Sequence, residues 1–196
     1  MNRTIVYKQQ ERCISMLSGV CAVAVAAGLL AAVPGAGDAE DYWMRAEARF
    51  APPTAFIRSA AVTYEPDLVP AASWIRVSQR TVPSGATTVE LRVSGVRPGH
   101  EFGVQVHRRP CGAAPAAAGG RYQHAPGRGA DHVSAANEVW LDFTANGRGA
   151  GLASVRHDWG FRQGEASSVV IQDAPGAGGV PVACFTVPFG WVAGTS

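Results

Sequence analysis

In TTVELRVSGV, residues 87–96, Val89, Leu91 and Val93 alternate with Thr88, Glu90 and Arg92. A period of two puts the apolar set on one face and the polar set on the other, the signature of a half-exposed antiparallel strand. Short β-type runs recur along the chain: FIRSAAVTYE (56–65), SWIRVSQ (73–79), FGVQVHR (102–108), NEVWLDFT (137–144), GLASVR (151–156), SSVVIQD (167–173) and VPVACFTV (180–187). The spacers PSGA, RPGH, NGRG and DAPGAGG are rich in residues that favour turns. Eight short strands without a convincing internal helix predict an all-β fold, a β-sandwich or Greek-key barrel of immunoglobulin-like character.

Composition supports this. The 196-residue chain is 47% hydrophobic and only 16% charged, with 23 glycines and 13 prolines, the balance of a loop-rich β protein. Its length suits one core of ordinary size. The formal net charge is +2, and the basic residues are spread along the chain, so no nucleic-acid footprint is expected.

Residues 1–39 read as a targeting segment. Arg3, Lys8 and Arg12 precede the apolar run ISMLSGVCAVAVAAGLLAAV, and PGAGDA follows with small residues suited to cleavage. A signal peptide fits this pattern. So does a retained membrane anchor, because about 20 apolar residues can span a bilayer. Cys21, in LSGVC, lies within the apolar run rather than after it and makes a poor lipid-attachment box. Either reading places the domain outside the cytoplasm. Residues 40–56 then read as a linker with one helical turn before Pro52, residues 57–190 as the barrel and 191–196 as a tail.

Cys111 and Cys184 are the cysteines beyond the targeting segment. Two cysteines in an exported domain most simply form one disulfide. One connection breaks the rhythm of short turns: residues 108–137 carry no strand pattern. Loops this long inside a compact domain are functional or tied down. Cys111 can do part of the tying, and His124 and His132 lie in the same segment.

Four stretches in order, RPGHEFGVQVHRRPC, AGGRYQH, SSVVIQD and GGVPVACFTV, resemble the exported copper/zinc superoxide dismutases, closest to an actinobacterial-type branch in which NEVWLDFT also recurs. The resemblance runs from about Ala61 to Phe189. It implies an eight-stranded Greek-key barrel, a disulfide from the long loop to the last strand, matched by Cys111 and Cys184, and a copper ion held by four histidines, one bridging to zinc.

At the ligands the chain departs from that pattern. The family's His-Val-His reads Gln105-Val106-His107; the position of the bridging histidine reads Arg121; the last copper ligand reads Gln172; and the position of the arginine that guides superoxide reads Pro181. Of the copper positions only His107 keeps its imidazole. Copper that cycles between two oxidation states needs several imidazole nitrogens, and a guanidinium is a permanent cation that donates only. The expectation is that Arg121 fills the copper position and hydrogen-bonds Gln105, Gln172 or both, with His107 as a hydrogen-bonded core histidine. No cofactor is expected on this reading.

The loop acids and histidines, His124, His132, Asp131, Glu138 and Asp142, lie where the family holds zinc. Two histidines and a carboxylate suit a residual zinc site, although solvated loop residues are the plainer expectation. His100 and His157 sit by turns and suggest nothing, and Trp140 and Trp159 read as barrel packing. Two functions follow. The first is an exported dismutase-like domain without redox metal, acting as a structural or binding module for an envelope or extracellular partner. The second is a superoxide dismutase or metal-binding protein using copper or zinc through an altered ligand set. Neither reading involves nucleic acid, and the membrane enters only through an uncleaved N-terminal segment.

Overall fold

The computed structural model describes residues 40–190; the targeting segment and the tail lie outside the described residues. The first strand, β1 (Tyr42–Ala51), occupies what the sequence reading assigns to a linker. Along it Met44, Ala46, Ala48 and Phe50 turn inward while Trp43, Arg45, Glu47 and Arg49 turn outward. Alanine, glutamate and arginine favour helix locally, but this alternation buries a stripe only as a strand, and eight consecutive residues pair with the next long strand.

β2 (Ala61–Thr63), β3 (Trp74–Thr81), β4 (Thr87–Ser94) and β5 (Glu101–His107) follow, then β6 (Phe143–Thr144), β7 (Ala150–His157), β8 (Ser168–Gln172) and β9 (Pro181–Thr186). The described residues thus hold nine strands rather than eight, and FIRSAAVTYE and NEVWLDFT contribute only three- and two-residue strands. Among the described residues helix is limited to two short 3-10 turns, Pro115–Ala118 and Ala130–His132.

The strands join in the order β6-β5-β8-β9-β2-β1-β3-β4-β7. One half, β1-β3-β4-β7, is antiparallel throughout. It connects to the other half through a two-residue parallel pairing of β1 with β2. The result is a nearly closed barrel whose seam lies between β6 and β7. There Gly151 lets β7 approach: a Cβ on it would come within 2.1 Å of the Phe143 ring.

Ile75, Val77, Val89, Leu91, Phe102 and Val104 meet in the interior. In β5, β8 and β9 the opposite face is buried as well, because residues 108–137 fold over it; Val170 and Cys184 pack there against Ala118. Burial on both faces explains why these strands read as near-continuous apolar runs. Cys111 and Cys184 form the expected disulfide, with Cα atoms 5.7 Å apart and a sequence separation of 73.

The charges, scattered in sequence, gather in space. Outward residues of the four-stranded half include Arg45, Arg49, Arg76, Arg80, Arg92 and Arg156. Residues spread along the chain meet here because period-two alternation and antiparallel register put every second residue of four strands on one face.

Candidate functional site

The covered face of β5 and β8 carries the positions singled out by sequence. Gln105 and His107 lie two apart on β5 and so share a face, and the β5–β8 register puts Gln172 on that face too. On the other side of β5 the returning loop forms isolated antiparallel bridges, Trp140 opposite Gln105 and Arg121 opposite His107. Above them lies the β8–β9 turn. Gly103 allows its approach, since a Cβ there would meet the Ala174 carbonyl at 2.3 Å. Gln105, His107, Glu138 and Gln172 are all buried.

Arg121 does not bond either glutamine, contrary to expectation. Its Nε lies 3.4 Å from Glu138 Oε2, and its Nη1 donates to the Ala177 carbonyl at 3.3 Å. The reason is Glu138, a carboxylate 1% exposed. A buried carboxylate needs donors on all sides, and it also accepts from Gln123 Nε2 at 3.0 Å and Trp140 Nε1 at 2.9 Å. A full carboxylate charge outcompetes two neutral amide oxygens for the guanidinium. Trp140 is thus a hydrogen-bond donor rather than simple packing.

The remaining acceptors are left bare. Gln105 donates through Nε2 to the Gly176 carbonyl at 2.8 Å, yet its Oε1 has no partner among the described residues; nor has Gln172 Oε1. His107 Nδ1 lies 2.8 Å from the Gly119 carbonyl. A carbonyl only accepts, so the hydrogen sits on Nδ1 and the unpartnered Nε2 presents a lone pair. Burial pushes the His107 pKa below its ordinary value; the Gly119 bond opposes this, Arg121 adds to it and Glu138 opposes it. By contrast, the buried Gln79 has both ends engaged, with Thr81 and Gly190. Bare buried acceptors cost about 1–3 kcal/mol each, so three on one face mark this place as unlike the rest of the barrel.

The donor set fits a redox copper ion poorly. It offers one imidazole nitrogen and two neutral amide oxygens, with a guanidinium alongside. Among the described residues no three His, Cys, Asp or Glu side chains are grouped to hold a metal. His124 stacks on Trp159 at 4.7 Å between ring centres. The His132 ring lies where a Cβ on Gly127 would be. The structure therefore does not bring the two loop histidines into one chelating set. Pro181 opens β9, opposite Gln172 at a register shift, a position where a missing N–H is tolerated.

Sequence reasoning named Asp142 only as an acid near the zinc position and passed over Arg162, and both are anchors of this site. Asp142 accepts from Val104 N at 2.9 Å and Gly176 N at 2.7 Å, fastening the β8–β9 turn to β5. Arg162 clamps the long loop: it donates to the carbonyls of His124 and Gln123 and to Glu165, and its guanidinium lies 4.9 Å over the buried Tyr122 ring. Alternation in NEVWLDFT carries the first signal, since Glu138, Trp140 and Asp142 share the face opposite Val139, Leu141 and Phe143. Arg162 carries no local signal.

No protein-family model and no curated protein matches the chain. Among solved structures it is similar to one described as a crystal structure analysis of the clock protein EA4, at 15% identity and a TM-score of 0.47, covering 73% of this chain and 92% of that one. A likeness this slight carries no inference about the chain.

Proposed function

We propose that this is an exported domain built on an eight-stranded Greek-key core of the copper/zinc superoxide dismutase type, with β1 added at the N-terminal end. On this reading it has no catalytic copper and serves as a structural or binding module in the cell envelope or outside it. The observation that carries the reading is the Arg121–Glu138 pair on the copper face. A permanent cation held there opposes a divalent metal, and the imidazole at His107 stands alone. The N-terminal segment and the disulfide support export.

A second reading, a metal-binding protein or dismutase with an altered ligand set, draws on the three bare acceptors of Gln105, His107 and Gln172. The two readings separate on one preparation, the full chain purified with copper and zinc present and assayed for bound metal and superoxide dismutation. We expect substoichiometric copper and no dismutation; stoichiometric copper with activity would overturn the reading. The triple variant Q105H/R121H/Q172H is expected to gain copper binding, visible by metal analysis and electron paramagnetic resonance, because all three positions front one face. No gain in a folded triple variant would remove the dismutase-type placement of these positions.

A further inference from the structure

The outward face of β1-β3-β4-β7 combines features that nothing in the copper-face reading uses. Its six arginines face three carboxylates, Glu47 and Glu90 on the face and Asp41 at its edge. That local excess of +3 exceeds the +2 of the whole chain. Arg45 and Arg76 share Glu47, and Arg80 pairs with Asp41. Arg92 and Arg156 are exposed and in no ion pair among the described residues. Strands about 4.8 Å apart, with outward residues about 6.8 Å apart along each, spread these guanidinium groups over the outer surface of the barrel.

Two hollows sit on this face. One, of about 190 Å³, lies among Trp43, Ser78, Arg80, Thr88 and Glu90. The other, of about 470 Å³, reaches from Trp74 and Arg92 to Thr144 and Asn146. Each combines an indole, an arginine and hydroxyl or amide groups, and the first also holds the Glu90 carboxylate, which leaves the second as the better seat for an anionic group. Guanidinium groups cap both indoles: Arg80 lies 5.1 Å over Trp43 and Arg76 4.7 Å over Trp74. These contacts hold the two guanidinium groups against the rings and cover one face of each ring.

We propose that this face binds an acidic polysaccharide, a linear polymer whose carboxylate or sulfate groups meet the arginines and whose hydroxyls meet the polar groups of the two hollows. Charge selects a polyanion, since guanidinium pairs with carboxylate and sulfate through two parallel hydrogen bonds. Single-stranded nucleic acid stacks its bases on aromatic faces; here a guanidinium already takes one face of each indole, and an oligonucleotide competes for the other in the test below. A bilayer is disfavoured because the widely exposed large apolar side chains on the face, Trp43 and Leu152, lie on its opposite outer strands. A second copy of the same face is excluded by like charge.

The test uses the full chain in non-ionic detergent, with dextran sulfate and polygalacturonate as probes, neutral dextran as the blank and a single-stranded oligonucleotide as competitor. Wild type is expected to bind the acidic polymers and not the blank. R45Q/R92Q/R156Q is expected to bind at least about tenfold more weakly, and R108Q/R109Q/R128Q, with the same charge change on the long loop, within about twofold of wild type. The single variant R156E provides the same reading should the triple variant lose its circular-dichroism spectrum. Equal weakening by both triple variants, no binding to either acidic polymer, or tighter binding to the oligonucleotide would overturn the proposal.

Discussion

Glu138 is the residue on which the covered face turns. It is buried within a few ångströms of one cation and two neutral donors. Removing a buried carboxylate leaves those donors without an acceptor, whereas removing Arg121 leaves Glu138 still bonded to Gln123 and Trp140. We therefore expect E138A to destabilise by about 3 kcal/mol and R121A, whose side chain is 24% exposed, by about 1 kcal/mol. Urea unfolding of both variants checks the order, and a larger loss for R121A would contradict it. Alternation alone made the shared face of Gln105 and His107 legible in the sequence. The guanidinium's partner was not legible, because Glu138 reaches it only once some 30 residues of loop have returned to β5.

Among the elements, β1 shows most clearly where sequence reading fails and why. The inward stripe of Met44, Ala46, Ala48 and Phe50 is present in the letters, but two of its four members are alanine, which signals neither burial nor strand. What decides the matter is β3, offering a full edge to eight residues of β1. Deleting residues 42–51 is therefore expected to abolish folding of the domain, because it exposes that edge together with the interior that Phe50 closes. Far-ultraviolet circular dichroism and proton NMR dispersion would show this, and a well-dispersed spectrum from the deletion variant would restore the linker reading. The long loop was legible in outline through its cysteine. C111A/C184A is expected to lose about 4 kcal/mol, given a closed loop of some 73 residues. Hydrogen exchange should then quicken most from residue 112 to 120, with Arg162 still holding the middle of the loop at Gln123 and His124.

For the molecule as a whole, the distribution of histidines makes stability a function of pH. His157, at the end of β7, is buried with an unpartnered Nε2, and its ring stacks on Trp159 at 4.1 Å. Burial lowers its pKa, the neighbouring His124 lowers it further and Asp158 works against both. Burial also lowers His107 and, aided by Arg162, His124. In the unfolded chain these imidazoles regain their ordinary pKa of about 6.5. As the pH falls through that value the unfolded chain takes up protons that the folded barrel refuses, so the equilibrium shifts toward unfolding. The stabilisation is complete above about pH 6.5 and is lost as the pH falls toward the lowered folded values. A second loss is expected nearer the carboxylate range, where Glu165, held below its ordinary pKa by its bond to Arg162, takes up a proton and the clamp on the long loop weakens. The melting temperature should therefore hold steady from pH 8 to 7 and drop between pH 6.5 and 5 by roughly 2–4 °C for each kcal/mol lost. H157F, which keeps a ring on Trp159 but cannot take a proton, should flatten part of that drop and leave the acidic step in place. An unchanged profile in H157F would mean that the buried imidazole of β7 is not among the groups that set it.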